Sequence, residues 1–350
     1  MFRRAKSLVG LDIGSSAIKA VELKVVARAY QVVAYGSEPL LPDSIVDGAI
    51  VDAAAVSEAI RRLLDTTGIR TREVAAALSG SAVIVKKITV PVMTEGELAG
   101  SIHWEAEQHI PFDIQDVNLD YQVLDCADPA ADTMDVLLVA AKKERIAEYT
   151  RVISQAGRVA VVVDVVAFAL QNAYEVNYGT EAGVVVALLD AGASVTTLNI
   201  LSGDQSLYTR DISIGGRAHA EALQREMNLP VAAADQLKRG LSVAGATFEE
   251  ARPVMRAVTE NIMLEIEKTF DFFTATAASN PIDRIVVTGG ASRAEGFTDA
   301  LAERFHAAVE EMDPFREITF DAGRLAADAA DARAVGAVAV GLALRRAGDW

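Results

Sequence analysis

Leu11-Asp12-Ile13-Gly14-Ser15-Ser16 stands near the start of the chain, and Leu189-Asp190-Ala191-Gly192-Ala193-Ser194 repeats its design near the middle. In both places an apolar run (Ser7–Ile13, then Ala182–Leu189) has the texture of a buried strand and ends at an Asp. A small-residue turn follows, and a second apolar strand leaves it (Ile18–Val25, then Val195–Leu201). Glycine lets the backbone approach a bound phosphate, and successive N–H groups with nearby hydroxyls make an anion-binding concavity. A carboxylate at that spot suits Mg²⁺, which prefers carboxylate, water and phosphate oxygens. Lys19, just past the first turn, is placed to neutralise phosphate charge. A single Asp-x-Gly turn is an ordinary hairpin, since Asp, Gly and Ser are common turn residues. Two copies, one at the head of each half-chain, point instead to a duplicated α/β fold with a phosphate hairpin from each half facing a central cleft.

Two further elements fit such a cleft. Ile285-Val286-Val287-Thr288-Gly289-Gly290-Ala291 reads as a buried strand ending in a glycine pair, which leaves room for a sugar or flat ring. It also reads as a plain Gly-rich strand-to-helix turn. Gly215-Gly216 before a helix, with Lys238 in Asp235–Arg239 further on, is a weaker signal, because charges there usually mark a solvated helix face.

Between the two hairpins the texture changes. Asp52–Thr67 is an amphipathic helix stopped by Gly68, and Val74–Leu78 and Ala82–Val90 are strands. Thr94 and Glu97 form a capping box with Met93 and Leu98 as its staple. The helix they open carries Leu98, Ile102, Ala106 and Ile110 and stops at Pro111. Strands at Val117–Leu124 and Met134–Ala141 flank a polar loop at Asp125–Thr133, and a helix covers Glu144–Ala156. Residues 84–156 therefore form a candidate inserted subdomain. Downstream, the pattern predicts a long helix over Pro253–Ser279, a helix over Phe297–Ala308 and an Ala-rich terminal helix over Asp331–Ala347.

Composition narrows the class. The 350 residues are 51% hydrophobic and 23% charged, as in a well-folded globular protein. A formal charge of −16 argues against nucleic acid as a partner, and Arg3, Arg4 and Lys6 are the only basic cluster. Cys126 is the sole cysteine, so no internal disulfide can form and a reducing, cytoplasmic setting is expected. No apolar run approaches the roughly 18–20 residues of a spanning helix, so direct membrane insertion is not expected. The Walker and dinucleotide-binding fingerprints are absent, as is a nucleophile elbow. His103, His109, His219 and His306 lack ligand-like spacing.

The paired Asp-x-Gly hairpins and the late Thr-Gly-Gly strand resemble the phosphate-1, phosphate-2 and adenosine motifs of the actin, sugar-kinase and heat-shock chaperone superfamily. Within it, the chain is similar to the PilM family of type IV pilus assembly proteins, relatives of the divisome protein FtsA. The carrying segments are Leu8–Ser16, Ala77–Ser81, Glu105–Glu107 with Ile110–Asp113, Leu138–Lys143, Val163-Asp164 with Ala167–Asn172, and Val338–Arg345.

The resemblance implies an actin-like (ribonuclease H-like) fold. Residues 1–83 would be the first part of domain 1A, 84–156 an FtsA-type 1C (SHS2-like) insertion and 157–181 the return to 1A. Residues 182–330 would form the second domain, and 331–350 a helix returning to 1A. It implies ATP and Mg²⁺ in the cleft, held by Asp12, Gly14, Ser15, Ser16, Lys19, Asp190, Gly192, Ala193, Ser194, Gly215, Gly216, Lys238, Gly289, Gly290 and Ala291, with Mg²⁺ reached from Asp12 and Asp190 through water. It also implies a place on the cytoplasmic side of the inner membrane, reached through partner proteins. The implied direct partner is the N-terminal cytoplasmic peptide of PilN, with PilO and other pilus machinery beyond it, and a homo-oligomer is compatible with the family.

By position, Asp164 would be the residue that orients the attacking water, with a helix N-terminal cap as the alternative role. Val166 and Ala193 stand where relatives often carry carboxylates, so nucleotide binding with slow or negligible turnover is expected. Two other readings share the fold. A small-molecule kinase would need a polar substrate pocket with an Asp base, and an FtsA-like division protein would want a C-terminal amphipathic helix.

Overall fold

A computed structural model describes residues 7–124, 132–277, 281–320 and 329–348. Arg3, Arg4, Lys6, Cys126, most of the 125–133 loop and the end of the chain at Trp350 lie outside the described residues. The chain begins with β1 (Val9–Ile13), β2 (Ala17–Val26), β3 (Ala29–Pro39), a short pair β4 (Ile45–Val46) and β5 (Ala49–Ile50), α1 (Ala53–Thr67) and β6 (Glu73–Leu78). It continues through β7 (Val83–Pro91), α2 (Glu95–Glu107), β8 (Val117–Val123), β9 (Thr133–Lys142), α3 (Lys143–Gln155), β10 (Val159–Val165) and α4 (Val166–Tyr178). The second half holds β11 (Val185–Ala191), β12 (Thr196–Ser202), β13 (Gln205–Ile212), α5 (Arg217–Met227), α6 (Val231–Lys238), α7 (Phe248–Ala277) and β14 (Arg284–Thr288). It closes with α8 (Phe297–Phe305), β15 (Ala308–Glu311), β16 (Thr319–Phe320), α9 (Ala329–Val335) and α10 (Ala337–Ala343).

The sheets show the duplication directly. One runs β10-β6-β1-β2-β3-β16 and the other β13-β12-β11-β14-β15. In each, an antiparallel meander (β1-β2-β3 or β11-β12-β13) is extended by parallel strands on the side of its first member. Up to their terminal Asp, β1 and β11 are apolar because both faces are covered. Leu11 and Ile13 point into a core with Ile60, Leu63 and Val152, while Val21 and Leu23 meet Ala339 and Val340 on the other face. Each such fully buried aliphatic side chain stabilises the fold by about 1.5–3 kcal/mol. A separate three-stranded sheet, β7-β9-β8, packs its own core of Ile88, Val136 and Leu138 against Leu98 and Ile102 of α2. The expected capping box on α2 is complete, with Thr94 and Glu97 bonded reciprocally, and Met93 packs against the same core as Leu98.

Several boundaries differ from the sequence expectations, each for a physical reason. The long helix opens at Phe248 rather than Pro253, because Thr247 and Glu250 form a capping box of their own. Helix α8 ends at Phe305, where His306 turns left-handed (φ 51°) and β15 follows. Helix α2 stops at Glu107, short of Pro111. The terminal helix is two helices broken at Gly336, because the Ala334 carbonyl is diverted to the Thr288 hydroxyl (3.1 Å) and the Gly289 N–H (3.0 Å). Thr319–Phe320, inside the segment expected to belong to the second domain, pairs with β3 in the first sheet. Among the described residues, no helix is long and apolar enough to cross a membrane.

Helix α10 lies in direct backbone contact with its neighbours. A Cβ on Gly341 would collide with the Ala169 carbonyl of α4, and one on Gly10 with the Ala339 carbonyl. Gly341→Ala is therefore expected to lower stability by at least about 1–3 kcal/mol, as overpacking does. Gly100→Ala, on an exposed helix position with open space around it, should instead gain about 0.5–1 kcal/mol. Equal melting temperatures for the two variants would contradict this packing.

Candidate functional site

The two Asp-x-Gly turns are built alike. The Gly14 N–H donates to the Ala17 carbonyl at 3.2 Å, and the Gly192 N–H to the Val195 carbonyl at 3.0 Å. Each closes a hairpin between the first two strands of its meander. The hairpins face one another, with the Ser15 and Ser194 hydroxyl oxygens 2.9 Å apart. Among the described residues, no acceptor takes the backbone N–H of Ser15, Ser16, Ala193 or Ser194. Two turn tips with open donors thus converge, the arrangement an oligophosphate would bridge.

The charged groups sit behind these tips. Asp12 and Lys19 are cross-strand partners, and the ammonium donates to Asp12 Oδ2 at 2.8 Å with both side chains mostly buried. Burial works against the Lys19 charge. Contact with Asp12 and the fields of Asp190 and Asp331 outweigh it, holding the ammonium above its ordinary range. Asp190 is raised to about 6, first by desolvation, with Asp12 and Asp211 adding to the rise and Lys19 opposing it.

The glycine elements close around the second hairpin. The Gly216 N–H donates to the Gly192 carbonyl (2.9 Å) and the Arg217 N–H to the Ala193 carbonyl (2.7 Å). Ala291 packs against Gly216. Gly289 (φ 95°) lies so close under Asp190 that a Cβ there would strike its carboxylate; Gly290 follows at the exposed edge of the same turn. Lys238 turns its ammonium to the Gly216 carbonyl at 3.3 Å, and burial lowers its pKa. The phosphate- and nucleoside-type residues expected from the sequence therefore gather in one place, and Asp164 lies at the same end of the first sheet as Asp12, two strands across, since Leu11 pairs with Ala76 and Asp164 with Ala77. Its carboxylate accepts from the Val165 N–H (2.8 Å) and pairs with Arg345 (3.3 Å), which ties the end of the chain to the start of α4. His219 is a core residue bonded to Thr259, with its pKa lowered to about 4 by burial.

Two contributors were not singled out from the sequence. Arg217 reaches from the second domain to the Ser15 carbonyl and to Asp43, both at 3.2 Å. Asp211, which also accepts from the Thr197 hydroxyl (2.6 Å), accepts the Gly80 N–H across the cleft. The Gly215-Gly216 pair just before Arg217 was the one available signal for it.

Nucleotide and Mg²⁺ fit this donor set. The open N–H groups and Lys19 suit phosphate oxygens, and the two carboxylates suit a hydrated cation. Among the described residues, no cluster of three or more His, Cys, Asp or Glu is arranged to hold a metal. Mg²⁺ would therefore complete its shell from phosphate and water.

A duplicated meander sheet with one such hairpin per half at a shared cleft defines an actin-like protein. The chain belongs to the type IV pilus assembly protein PilM family, whose model matches residues 10–347. A solved "PilM-PilN type IV pilus biogenesis complex" contains a chain 31% identical, with a TM-score of 0.87, covering 98% of this chain and 99% of that one. Ethanolamine utilization protein EutJ from Carboxydothermus hydrogenoformans (14% identity, TM-score 0.58, 98% and 90% covered) shares the fold. So does MreB5 of Spiroplasma citri, solved bound to ADP (14%, 0.51, 96% and 94%).

The raised Asp190 pKa gives a pH signature. The folded state holds this proton more tightly than the unfolded chain. Its contribution is therefore fully present below about pH 4 and lost as pH rises through about 6. In nucleotide-free protein, Asp190→Asn should raise stability at pH 7.5 by up to about 3 kcal/mol, with the gain vanishing near pH 4. Melting temperatures that show a pH-independent difference would contradict the assignment.

Proposed function

We propose that this chain is an ATP-binding scaffold of the pilus assembly machinery that docks the N-terminal cytoplasmic peptide of a PilN-type partner. The observation that carries the nucleotide half is the pair of facing hairpin tips with open N–H donors, backed by Asp12, Lys19 and Asp190. The first hairpin, with Lys19, would hold one side of the phosphate chain, and Gly192–Ser194 the other. Asp12 and Asp190 would bind the waters of Mg²⁺, which supplies charge neutralisation when bound. Gly215, Gly216, Lys238 and the Gly289–Ala291 turn would frame the nucleoside.

Turnover would be slow. Asp164 is tied to Arg345, and Val166 and Ala193 leave the cleft short of carboxylates that could activate water. The partner half is supported by family membership and by the PilM-PilN complex to which the chain is similar. The β7-β9-β8 sheet with α2, in the 1C position, is the proposed docking module. Attachment to the inner membrane would run through that partner and onward to PilO.

Asp12→Ala and Asp190→Ala should each weaken Mg-ATP binding by at least about tenfold, or 1.4 kcal/mol, in calorimetry. Native affinity in both variants would remove the cleft reading. Titration of the full chain with the cognate PilN N-terminal peptide should give saturable binding, and a folded protein that ignores the peptide would defeat the scaffold reading.

A further inference from the structure

At the opposite end of the first sheet from the hairpin, where β1, β6 and β10 begin, the ends of α1 and α3 border an open cavity of about 450 Å³. Its wall carries Arg70, Arg72 and Arg158, with Asp65 as the one opposing carboxylate. Three guanidiniums around one concavity stand out in a chain of net charge −16. Helix C-termini attract cations, so capping is the first explanation to test. It accounts for part of the set. Arg158 donates to the Ile69 carbonyl at 3.0 Å, Arg61 donates to the Gln155 carbonyl at 3.3 Å, and the Gly68 N–H closes the end of α1.

Capping leaves the rest without a task. The side chains of Arg70 and Arg72 make no hydrogen bond or ion pair among the described residues, although Asp65 lines the same wall. The buried Nε of Arg158 also lacks a hydrogen-bond partner. Exposed arginines on the wall of one concavity, with no protein acceptor among the described residues, suit phosphate oxygens, which guanidinium binds in a bidentate fork.

We propose that this cavity is a binding site for a phosphate-bearing anion, separate from the nucleotide cleft. The surroundings favour the headgroup of an anionic lipid as its source. The end of β2 reaches the same edge, since Val9 pairs with both Glu22 and Val74. That end presents Val25 and Val26, 58% and 47% exposed, between exposed Lys24 and Arg28. An apolar tip flanked by cations is matched to the interface of a negatively charged bilayer.

The test uses the full chain and the double variant Arg70→Ser/Arg72→Ser, which spares the capping Arg158. Each is sedimented with vesicles of phosphatidylglycerol and phosphatidylcholine, and with phosphatidylcholine alone, and each is titrated with inorganic phosphate. The native chain should bind the anionic vesicles only, and the double variant should bind them roughly 25-fold more weakly, at about fivefold per arginine. Unchanged Mg-ATP affinity in the variant would show that its fold and cleft are intact. Phosphate binding that depends on Arg70 and Arg72, without vesicle binding, would keep the site and assign it a soluble anion. Native chain and double variant binding equally, or neither binding vesicles or phosphate, would overturn the proposal.

Discussion

Two aspartates held near one another in a partly closed cleft need a cation between them, and Lys19 meets that need in the folded chain. It touches Asp12 and feels Asp190 from the other half of the molecule. The price is visible in Asp190, whose proton is held far more tightly than in water. A ligand bringing its own cation would ease this tension. Mg²⁺ beside a phosphate chain would relieve the carboxylates while Lys19 turned to the phosphates. The duplication sets this tension, because a twofold repeat delivers two copies of the same strand-end Asp to the same place.

The latches across the cleft follow from the same constraint. Ser15 with Ser194, Arg217 with Ser15 and Asp43, and Asp211 with Gly80 all join one half to the other. Each is a hydrogen bond or an exposed ion pair, of the kind that contributes about 0.5–3 kcal/mol. Their sum is small beside the two cores that α1, α3 and α7 bury. The halves are therefore individually firm and weakly fastened at the cleft.

Local chemistry explains which features were legible in the sequence. An apolar run, an Asp and a Gly-Ser turn specify a strand end and hairpin within about eight residues, so both phosphate-type turns could be read directly. The Thr94–Glu97 box was equally local. Arg217 and Asp211 were not legible, because their partners lie 202 and 131 residues away and neither sits in a distinctive local pattern. Asp164 stands out in the sequence as a carboxylate in an apolar strand, and its pairing with Arg345 is visible only in three dimensions. The break at Gly336 was hidden for a similar reason. An Ala-rich stretch favours one long helix, and only the pull of Thr288 and Gly289 on the Ala334 carbonyl divides it. The start of α7 is set locally, by a Thr247–Glu250 capping box that opens six residues before Pro253.

The contact of α10 with α4 through Gly341 has a mechanical side. Leu170 and Tyr174 of α4 and Ala337 of α10 pack into the core beneath the second sheet, while Val166, Ala169, Val338 and Leu342 of the same helices pack beneath the first. These two helices therefore form an axle shared by both halves. With no side chain between them at the closest point, the two helices have little room to slide past one another, and any movement of one half against the other would have to pivot about them. A small swing at the hairpins would then become a larger displacement at the far rim of each half, as it does at the ends of a lever.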